Sequence, residues 1–357
     1  MNKNCIVVYA SCGEGHKKAA EAVVEHFKFS SYDILHFSHR IIRELYSSGY
    51  RFIVKHLPFL WYGIFLLTEL RIVKLLLDKL NLIIFLPFYN FLRKNKPHYV
   101  ILTHFFPISI VKAIKRKDDV KMIVIITDMG VHPLWVDDSV DYYFVPIEYT
   151  KKELLKRNVP EEKIMVTGIP LREGFRKKID PQDIRSKLGL EKEKTLLLLS
   201  STTGNIHFLK DVLEQLSTSF NCIVIYGRNK KAESIIKRMK MSCVKGFPYY
   251  SRIWELMEIA SFIITKPGGL TVFEALYKGK YLIFTHFIKG QEEVNKDIIE
   301  KLGKGVYVHS FDELKRVVAS GEKVLYGQWA INGDDIFNQM RKILYNDEEG
   351  DNSKSSI

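Results

Sequence analysis

Thr265-Lys266-Pro267-Gly268-Gly269-Leu270-Thr271-Val272-Phe273-Glu274-Ala275-Leu276 holds the three signals of an α/β unit in twelve residues. An apolar, β-branched run from Phe262 to Thr265 meets a Pro-Gly-Gly turn, and a helix-like run begins at Leu270. Two adjacent glycines leave backbone N–H groups uncovered where a helix starts, and both the orphan donors and the helix dipole favour an anion there. The turn is a candidate phosphate or pyrophosphate site, with Glu274, one turn into the helix, in reach of a neighbouring hydroxyl. Gly-rich turns also make ordinary strand-turn-helix connections, so the rest of the chain has to decide.

The same unit recurs on both sides of this run. Cys5 to Ala10 reads as a buried first strand, followed by Ser11-Cys12-Gly13-Glu14-Gly15-His16 and a helix from Lys17. That loop lacks the third glycine of a dinucleotide fingerprint. His16, opening the helix, is placed to hydrogen-bond a ligand or to transfer a proton. Further strands are expected near Tyr32 to His36, His98 to Leu102, Lys121 to Ile126, Val140 to Val145 and Lys163 to Thr167. Asp128 directly follows one of them, a place for a general base or for a turn cap. The second half gives Thr195 to Ser200, Cys222 to Tyr226, Met241 to Val244, Phe262 to Thr265, Tyr281 to Thr285 and Gly305 to Val308. Two successive sets of strand-helix units predict an α/β protein with two doubly wound, Rossmann-like domains facing across a cleft, residues 1–168 and 169–326. The linker follows Gly168-Ile169-Pro170. A last helix, about Gln328 to Leu344 within 327–346, is expected to return to the first domain, and the polar tail 347–357 to be disordered.

At 357 residues, with 46% apolar and 27% charged residues, the chain has ample material for two cores. Cys5, Cys12, Cys222 and Cys243 form no metal-ligand spacing and read as reduced residues of a cytoplasmic protein. Met1-Asn2-Lys3-Asn4 runs straight into a strand, so no secretory signal peptide is expected. A net charge of +13 calls for nucleic acid, an anionic membrane surface, or simple solubility. Its location favours the membrane. Residues 40–96 interleave Phe52, Phe59, Trp61, Tyr62 and Phe65 with Arg40, Arg43, Arg51, Lys55, Arg71, Lys74 and Lys79, against few acids. No run there reaches the ~18 apolar residues of a membrane span. An amphipathic insertion lying in a membrane interface fits this composition, and a helical insertion packing on its own core is the alternative. Nucleic acid does not need so much aliphatic bulk.

Taken in order, the motifs resemble the monogalactosyldiacylglycerol synthase and processive diacylglycerol glucosyltransferase family, GT-B glycosyltransferases related to MurG. The matching pieces are Gly13-Glu14-Gly15-His16, Thr103-His104, and Thr127-Asp128 through His132-Pro133-Leu134-Trp135 to Tyr143-Phe144-Val145-Pro146. In the second half they are Gly227-Arg228-Asn229-Lys230-Lys231, Gly246-Phe247, Thr265 to Gly269 with Glu274, and Gly290-Gln291-Glu292-Glu293 with Asn295. The resemblance implies an inverting hexosyltransferase, a peripheral protein of the cytoplasmic membrane face. It would move glucose or galactose from a UDP-sugar to diacylglycerol or a glycosyl-diacylglycerol. It implies Asp128 and His16 as the catalytic pair, with the base left open between them. Its donor set is Gly204, Arg228, Gly246, Phe247, Pro267, Gly268, Gly269, Glu274, Gln291, Glu292 and Asn295. Its acceptor and membrane set is Gly13, Gly15, Trp61, Phe65 and His132. Ser201-Thr202-Thr203-Gly204-Asn205 stands where plant-type members have a run of glycines, and Lys280-Tyr281 lacks the family's usual proline. No DxD-type pair stands out, so no metal and no cofactor beyond the donor is expected. A MurG-like transferase with a polyprenyl acceptor and a nucleotide-sugar epimerase share the scaffold, and a non-catalytic lipid or nucleotide-sugar binder is a third reading. Donor hexose and oligomeric state are not encoded in any of these motifs.

Overall fold

The computed structural model describes residues 4–320 and 335–351, with side chains to Tyr345 at the C-terminal end. Two units partition the chain. One takes Met1–Glu173, Lys289–Gln291 and Asn332–Ile357, and the other Gly174–Ile288 and Glu292–Ile331.

The first unit carries a six-stranded, all-parallel sheet in the order β2-β1-β3-β4-β5-β6. Its strands are β1 (Cys5–Tyr9), β2 (Ser30–Asp33), β3 (Tyr99–Leu102), β4 (Lys121–Ile125), β5 (Tyr142–Val145) and β6 (Ile164–Val166). Alternate side chains go to opposite faces, as the two-residue period of a strand requires. Ile6, Val8, Val100, Leu102, Met122 and Val124 enter one core. Cys5, Val7, Tyr99, Ile101, Ile123 and Ile125 enter the other, against Ala20 and Val23 of the helix Glu14–Phe27. The last helix, Asp335–Asp351, supplies Ile336, Phe337, Met340 and Leu344 to that second core. Residues 328–334 of the expected last helix and 352–357 of the expected disordered tail lie outside the described residues. Residues 347–351, read as tail, are helical, since a polar segment containing Glu348 and Glu349 still favours helix.

The second unit is built the same way in the order β12-β11-β10-β7-β8-β9, again all parallel. Its strands are β7 (Thr195–Leu198), β8 (Asn221–Ile225), β9 (Val244–Phe247), β10 (Phe262–Thr265), β11 (Tyr281–Phe284) and β12 (Gly305–Tyr307). Strand order reverses between β1 and β3 in one sheet and between β7 and β10 in the other. Such switch points open a crevice at the carboxyl ends of the strands, where α/β folds hold ligands. The α/β, doubly wound reading is borne out for both halves.

Several expected bounds move, each for a local reason. The second strand ends at Asp33 instead of continuing to His36, because the Asp33 carboxylate accepts the Leu35 N–H at 3.1 Å and turns the chain. The first helix begins at Glu14, so Gly15 and His16 lie in its first turn. A Met241–Val244 turn delays β9, so Gly246 and Phe247 end that strand instead of following it. The two units divide between Glu173 and Gly174, beyond the expected Gly168. Glu173 N–H donates to Glu25 at 2.9 Å in the first unit. A side chain at Gly174 would meet the Trp254 ring of the second at 2.1 Å.

The segment between β2 and β3 is helical throughout, with Pro58–Thr68, Arg71–Ile84 and Leu86–Asn95 as its longest pieces. Prolines at the starts of the first and third fit, since a first-turn N–H has no intrahelical partner to lose. Phe85, Phe88 and Leu92 anchor the segment to the sheet. The rest of its surface is inverted. Of the twenty-two large apolar side chains exposed among the described residues, sixteen lie between Ile41 and Leu86, including Phe59 (80% exposed) and Ile83 (75%). In Arg71–Ile84, Ile72, Leu75, Leu76, Leu80 and Ile83 form one outward stripe. The same helix buries Asn81 and turns Lys74 and Asp78 inward, where Lys74 lies 3.7 Å from Asp137. A helix on a water-facing surface normally does the opposite.

Candidate active site

In the first unit the switch-point crevice gathers His16 from the first helix, Thr103 and His104 after β3, and Thr127 and Asp128 after β4. His16 Nδ1 lies 2.8 Å from the Thr103 carbonyl and 3.0 Å from Thr127 Oγ1. A carbonyl only accepts, so Nδ1 carries the proton and the neutral ring keeps its lone pair on Nε2. Thr103 Oγ1 donates back to the His16 carbonyl at 2.9 Å, fixing the helix start against β3. Burial lowers the His16 pKa, and the negative charge of Asp128 and the Thr103 carbonyl act in the opposite direction. The result is a neutral imidazole at pH 7 beside a carboxylate that favours its protonation. That is what a general base needs.

His104 stands edge-on to His16, ring centroids 4.6 Å apart, yet is chemically tied off. Its Nδ1 accepts the Phe106 N–H at 3.2 Å, so Nε2 carries the proton toward Cys12 Sγ at 3.4 Å. Burial holds His104 well below the usual imidazole range and pushes the Cys12 thiol up to about 12. Neither is suited to proton transfer near neutrality. Trp135 and Tyr46 add walls, Tyr46 packing edge-on against Phe106 at 4.8 Å. Gly13 caps the first helix with extended backbone and no side-chain bond, and Gly15 follows in its first turn. His132 is a strut. Its Nδ1 accepts from Leu134 N–H at 3.3 Å, its Nε2 meets Thr68 Oγ1 at 3.1 Å, and Phe65 packs on its ring at 4.8 Å. Burial takes it to about 4, so it stays neutral. Trp61, from the same helix as Phe65, packs edge-on to Tyr50 at 5.0 Å.

The second unit's crevice forms between the ends of β7 and β10. Gly268 is the N-cap of the helix Gly269–Tyr277 and has no side-chain cap, so the first-turn N–H groups point to the strand ends. Lys266 N–H donates to Ser201 Oγ at 3.2 Å, joining the two strand ends. Asn295, fully buried, donates to the Pro267 carbonyl at 2.9 Å and holds the turn from behind. Glu292, 3% exposed, has one carboxylate oxygen on Lys266 Nζ at 2.5 Å and the other on Ile288 N–H at 3.0 Å. Glu274 is buried in the second turn of the helix. Pro267, Gly268, Gly269, Glu292 and Asn295 thus come together, with Lys266 and Ser201 added.

The remaining expected donor residues lie farther along the strand ends. Asn229 caps the helix Lys230–Met239 and reaches the Thr203 carbonyl at 2.6 Å, so the Gly227–Asn229 loop borders the Ser200–Gly204 turn. Gly204 and Arg228 are exposed there. Gly246 sits where a side chain would meet Ile236 at 2.8 Å, and Phe247 packs edge-on to Tyr250 at 5.1 Å. Gln291, grouped with the first unit, accepts a hydrogen bond from Tyr50 Oη at 2.9 Å. Sequence reasoning gives no role to Lys266, Ser201, Thr103, Thr127 or Tyr50. Lys266 alone carried a local signal, a cation inside the Gly turn. Among the described residues no group of three or more His, Cys, Asp or Glu side chains is arranged to hold a metal ion.

Residues 16–171 match the family model of monogalactosyldiacylglycerol (MGDG) synthase, and residues 204–349 that of the glycosyltransferase family 28 C-terminal domain. The processive diacylglycerol beta-glucosyltransferase of Bacillus thuringiensis (strain Al Hakam) is 28% identical over 338 residues, 88% of this chain and 84% of that protein. Among solved structures, the UDP-GlcNAc 2-epimerase from Neisseria meningitidis bound to UDP-GlcNAc has a TM-score of 0.57 at 15% identity, covering 95% of this chain and 99% of its own. The calicheamicin glycosyltransferase CalG4 has a TM-score of 0.58 at 11% identity, covering 96% and 98%. At these identities the two structures speak to the fold alone. Fold and matched domains together define a GT-B glycosyltransferase. Within that class the chain is similar to monogalactosyldiacylglycerol synthase and to processive diacylglycerol beta-glucosyltransferases, and it is a hexosyltransferase.

Proposed function

We propose that this enzyme is an inverting, membrane-associated transferase that moves a hexose from a UDP-sugar to diacylglycerol or its monoglycosyl product. The observation that carries the lipid assignment is the outward apolar face between Ile41 and Leu86, in the same unit as the His16 crevice. An exposed apolar patch of this extent marks a surface made to be covered. Arg40, Arg51, Lys55, Arg71 and Lys79 on the same segment suit an anionic lipid surface. Among the described residues no helix is long and apolar enough to cross a membrane, so the segment lies in the interface.

His16 Nε2 takes the proton of the acceptor hydroxyl as its oxygen attacks the anomeric carbon from the face opposite the diphosphate. The bond from that carbon to the β-phosphate oxygen breaks, and configuration inverts. Asp128 favours the imidazolium that forms. Charge growing on UDP meets the first-turn N–H groups of the helix Gly269–Tyr277 and the Lys266 ammonium, an arrangement that serves without a metal. The uracil end of the nucleotide runs along the strand ends toward Gly246 and Phe247, with the ribose at Glu274. Strands lie ~4.8 Å apart, so the three steps from β10 to β9 span about 14 Å.

The test is a transfer assay with radiolabelled UDP-glucose, UDP-galactose and UDP-N-acetylglucosamine on anionic vesicles containing diacylglycerol, with and without EDTA. Label entering a diacylglycerol-dependent glycolipid, insensitive to EDTA, is the expected result. Protein that binds UDP but labels no lipid from any donor would refute the proposal in favour of another acceptor or an epimerase.

A further inference from the structure

Gln291 reaches its place by way of the lipid-facing segment. Lys289–Gln291 group with the first unit, and the side chains that hold them belong to residues 50–65. Gly290 has φ +77°, and a side chain there would meet Phe65 at 2.5 Å. Only glycine satisfies both the backbone and the ring. Lys289 Nζ lies 5.9 Å from the centre of the Phe59 ring. Tyr50 Oη donates to Gln291 Oε1 at 2.9 Å, and Tyr50 is itself braced edge-on by Trp61.

That hydrogen bond decides which end of the amide Gln291 presents. A primary amide offers an acceptor oxygen and a two-donor nitrogen related by a half-turn, and nothing intrinsic prefers either. With Oε1 committed to a hydroxyl donor, Nε2 is turned the other way, as a fixed pair of donors. We propose that Tyr50 is a positioning residue for donor-sugar recognition, locking the Gln291 amide so that its NH2 faces a sugar hydroxyl oxygen. This rests on the proposed UDP-sugar transferase function and on the family resemblance, which places Gln291 in the donor set. A freely flipping amide still binds a hydroxyl, since a hydroxyl both gives and accepts. What it loses is the distinction between hydroxyls presented in different orientations, which is the distinction between glucose and galactose.

The experiment compares wild type, Tyr50→Phe, Gln291→Ala and the double variant at saturating acceptor, measuring kcat and KM for UDP-glucose and UDP-galactose. Tyr50→Phe keeps the ring against Trp61 and removes only the hydroxyl. It is expected to raise the KM of the preferred donor roughly fivefold, the worth of one ordinary hydrogen bond, with kcat within about twofold. The ratio of kcat/KM between the two epimers should move toward unity. The double variant should match Gln291→Ala, because a residue acting through another adds nothing once that other is gone. Unchanged KM and epimer ratio in Tyr50→Phe, or additive losses in the double variant, would overturn the proposal. Should Tyr50→Phe fail to fold, Gln291→Ala alone decides: it must raise KM and lose epimer discrimination, and an unchanged ratio refutes the inference. A wild-type enzyme that labels no lipid refutes the underlying reading of function and this inference with it. An active wild type with an indifferent Tyr50→Phe refutes this inference alone.

Discussion

The sheet of the first unit and the helices between β2 and β3 are made of much the same residues and obey opposite rules. In the sheet Val7, Val8, Val100, Ile101, Ile123 and Val124 are fully buried, and the polar groups stand at the strand ends. In the helix Arg71–Ile84, Ile72, Leu75, Leu76, Leu80 and Ile83 face out, while Asn81 is buried and Lys74 and Asp78 turn inward. The hydrophobic effect drives apolar area from water, not toward any particular protein interior. A segment that keeps its apolar stripe outward is matched to a surrounding other than water. In the function proposed above, the sheet places the chemistry and the helices choose the phase from which the acceptor comes.

The largest break in this comparison comes at His16. His16→Gln keeps a side chain that can hydrogen-bond but removes the base. Transfer should fall by about 10²–10⁴-fold with UDP binding retained, as read by single-turnover kinetics and by calorimetry with UDP. Near-normal turnover would move the base to Asp128.

Next, the same change made in both regions separates their roles directly. Val100→Asp buries a carboxylate without a partner and is expected to abolish folding, a cost of several kcal/mol. Leu76→Asp, on the outward stripe, should shift the urea unfolding free energy by no more than ~0.5 kcal/mol. A large loss at Leu76 would show that the stripe packs against protein.

A smaller effect lies in the pH profile. His16, as the proposed base, has to be neutral to take a proton, and burial sets its pKa below the ordinary 6.5. kcat/KM should therefore hold from neutrality down past 6.5 and fall only at lower pH. Asp128→Asn removes the charge that raises the His16 pKa, so the acidic limb should move to still lower pH while kcat drops. A limb that stays in place would mean that Asp128 does not act on His16.

The smallest effect is on stability. His16, His104 and His132 all have folded pKa values below the unfolded one, His132 at about 4. The unfolded chain binds more protons between the folded values and about 6.5, so this contribution is complete above pH ~6.5 and is lost as pH falls toward 4. Urea midpoints at pH 7 and pH 5 should differ in that direction.

Much of this was legible in the residues because strand runs and Gly turns are local signals. Phe262–Thr265 kept its bounds, and the Pro-Gly-Gly turn lies at a helix start next to a switch point. Strand ends set by a side chain from elsewhere were not legible. Asp33 halts β2 by capping the next turn, a choice that the apolar run through Ile34 and Leu35 hides. In the site, His16 and Asp128 stand out by position. Their partners do not, since Thr103 and Thr127 become important only when β3 lies beside β1 and β4 beside β3. Lys266 and Glu292 are twenty-six residues apart, and Tyr50 and Gln291 two hundred and forty-one. No spacing rule reaches that far. The inverted helix needed the structure as well, because an amphipathic pattern states that there are two faces and not which one meets solvent.

The most direct measurement is transfer by a variant carrying Ile72→Asp, Leu76→Asp and Ile83→Asp, assayed with diacylglycerol presented in vesicles and again dispersed in detergent micelles. The structure predicts that transfer on vesicles collapses with the loss of vesicle binding, while transfer to dispersed acceptor stays within a few-fold of wild type. Equal activity on vesicles, or an equal loss in both presentations of a folded variant, would contradict the assignment of this face to the lipid surface.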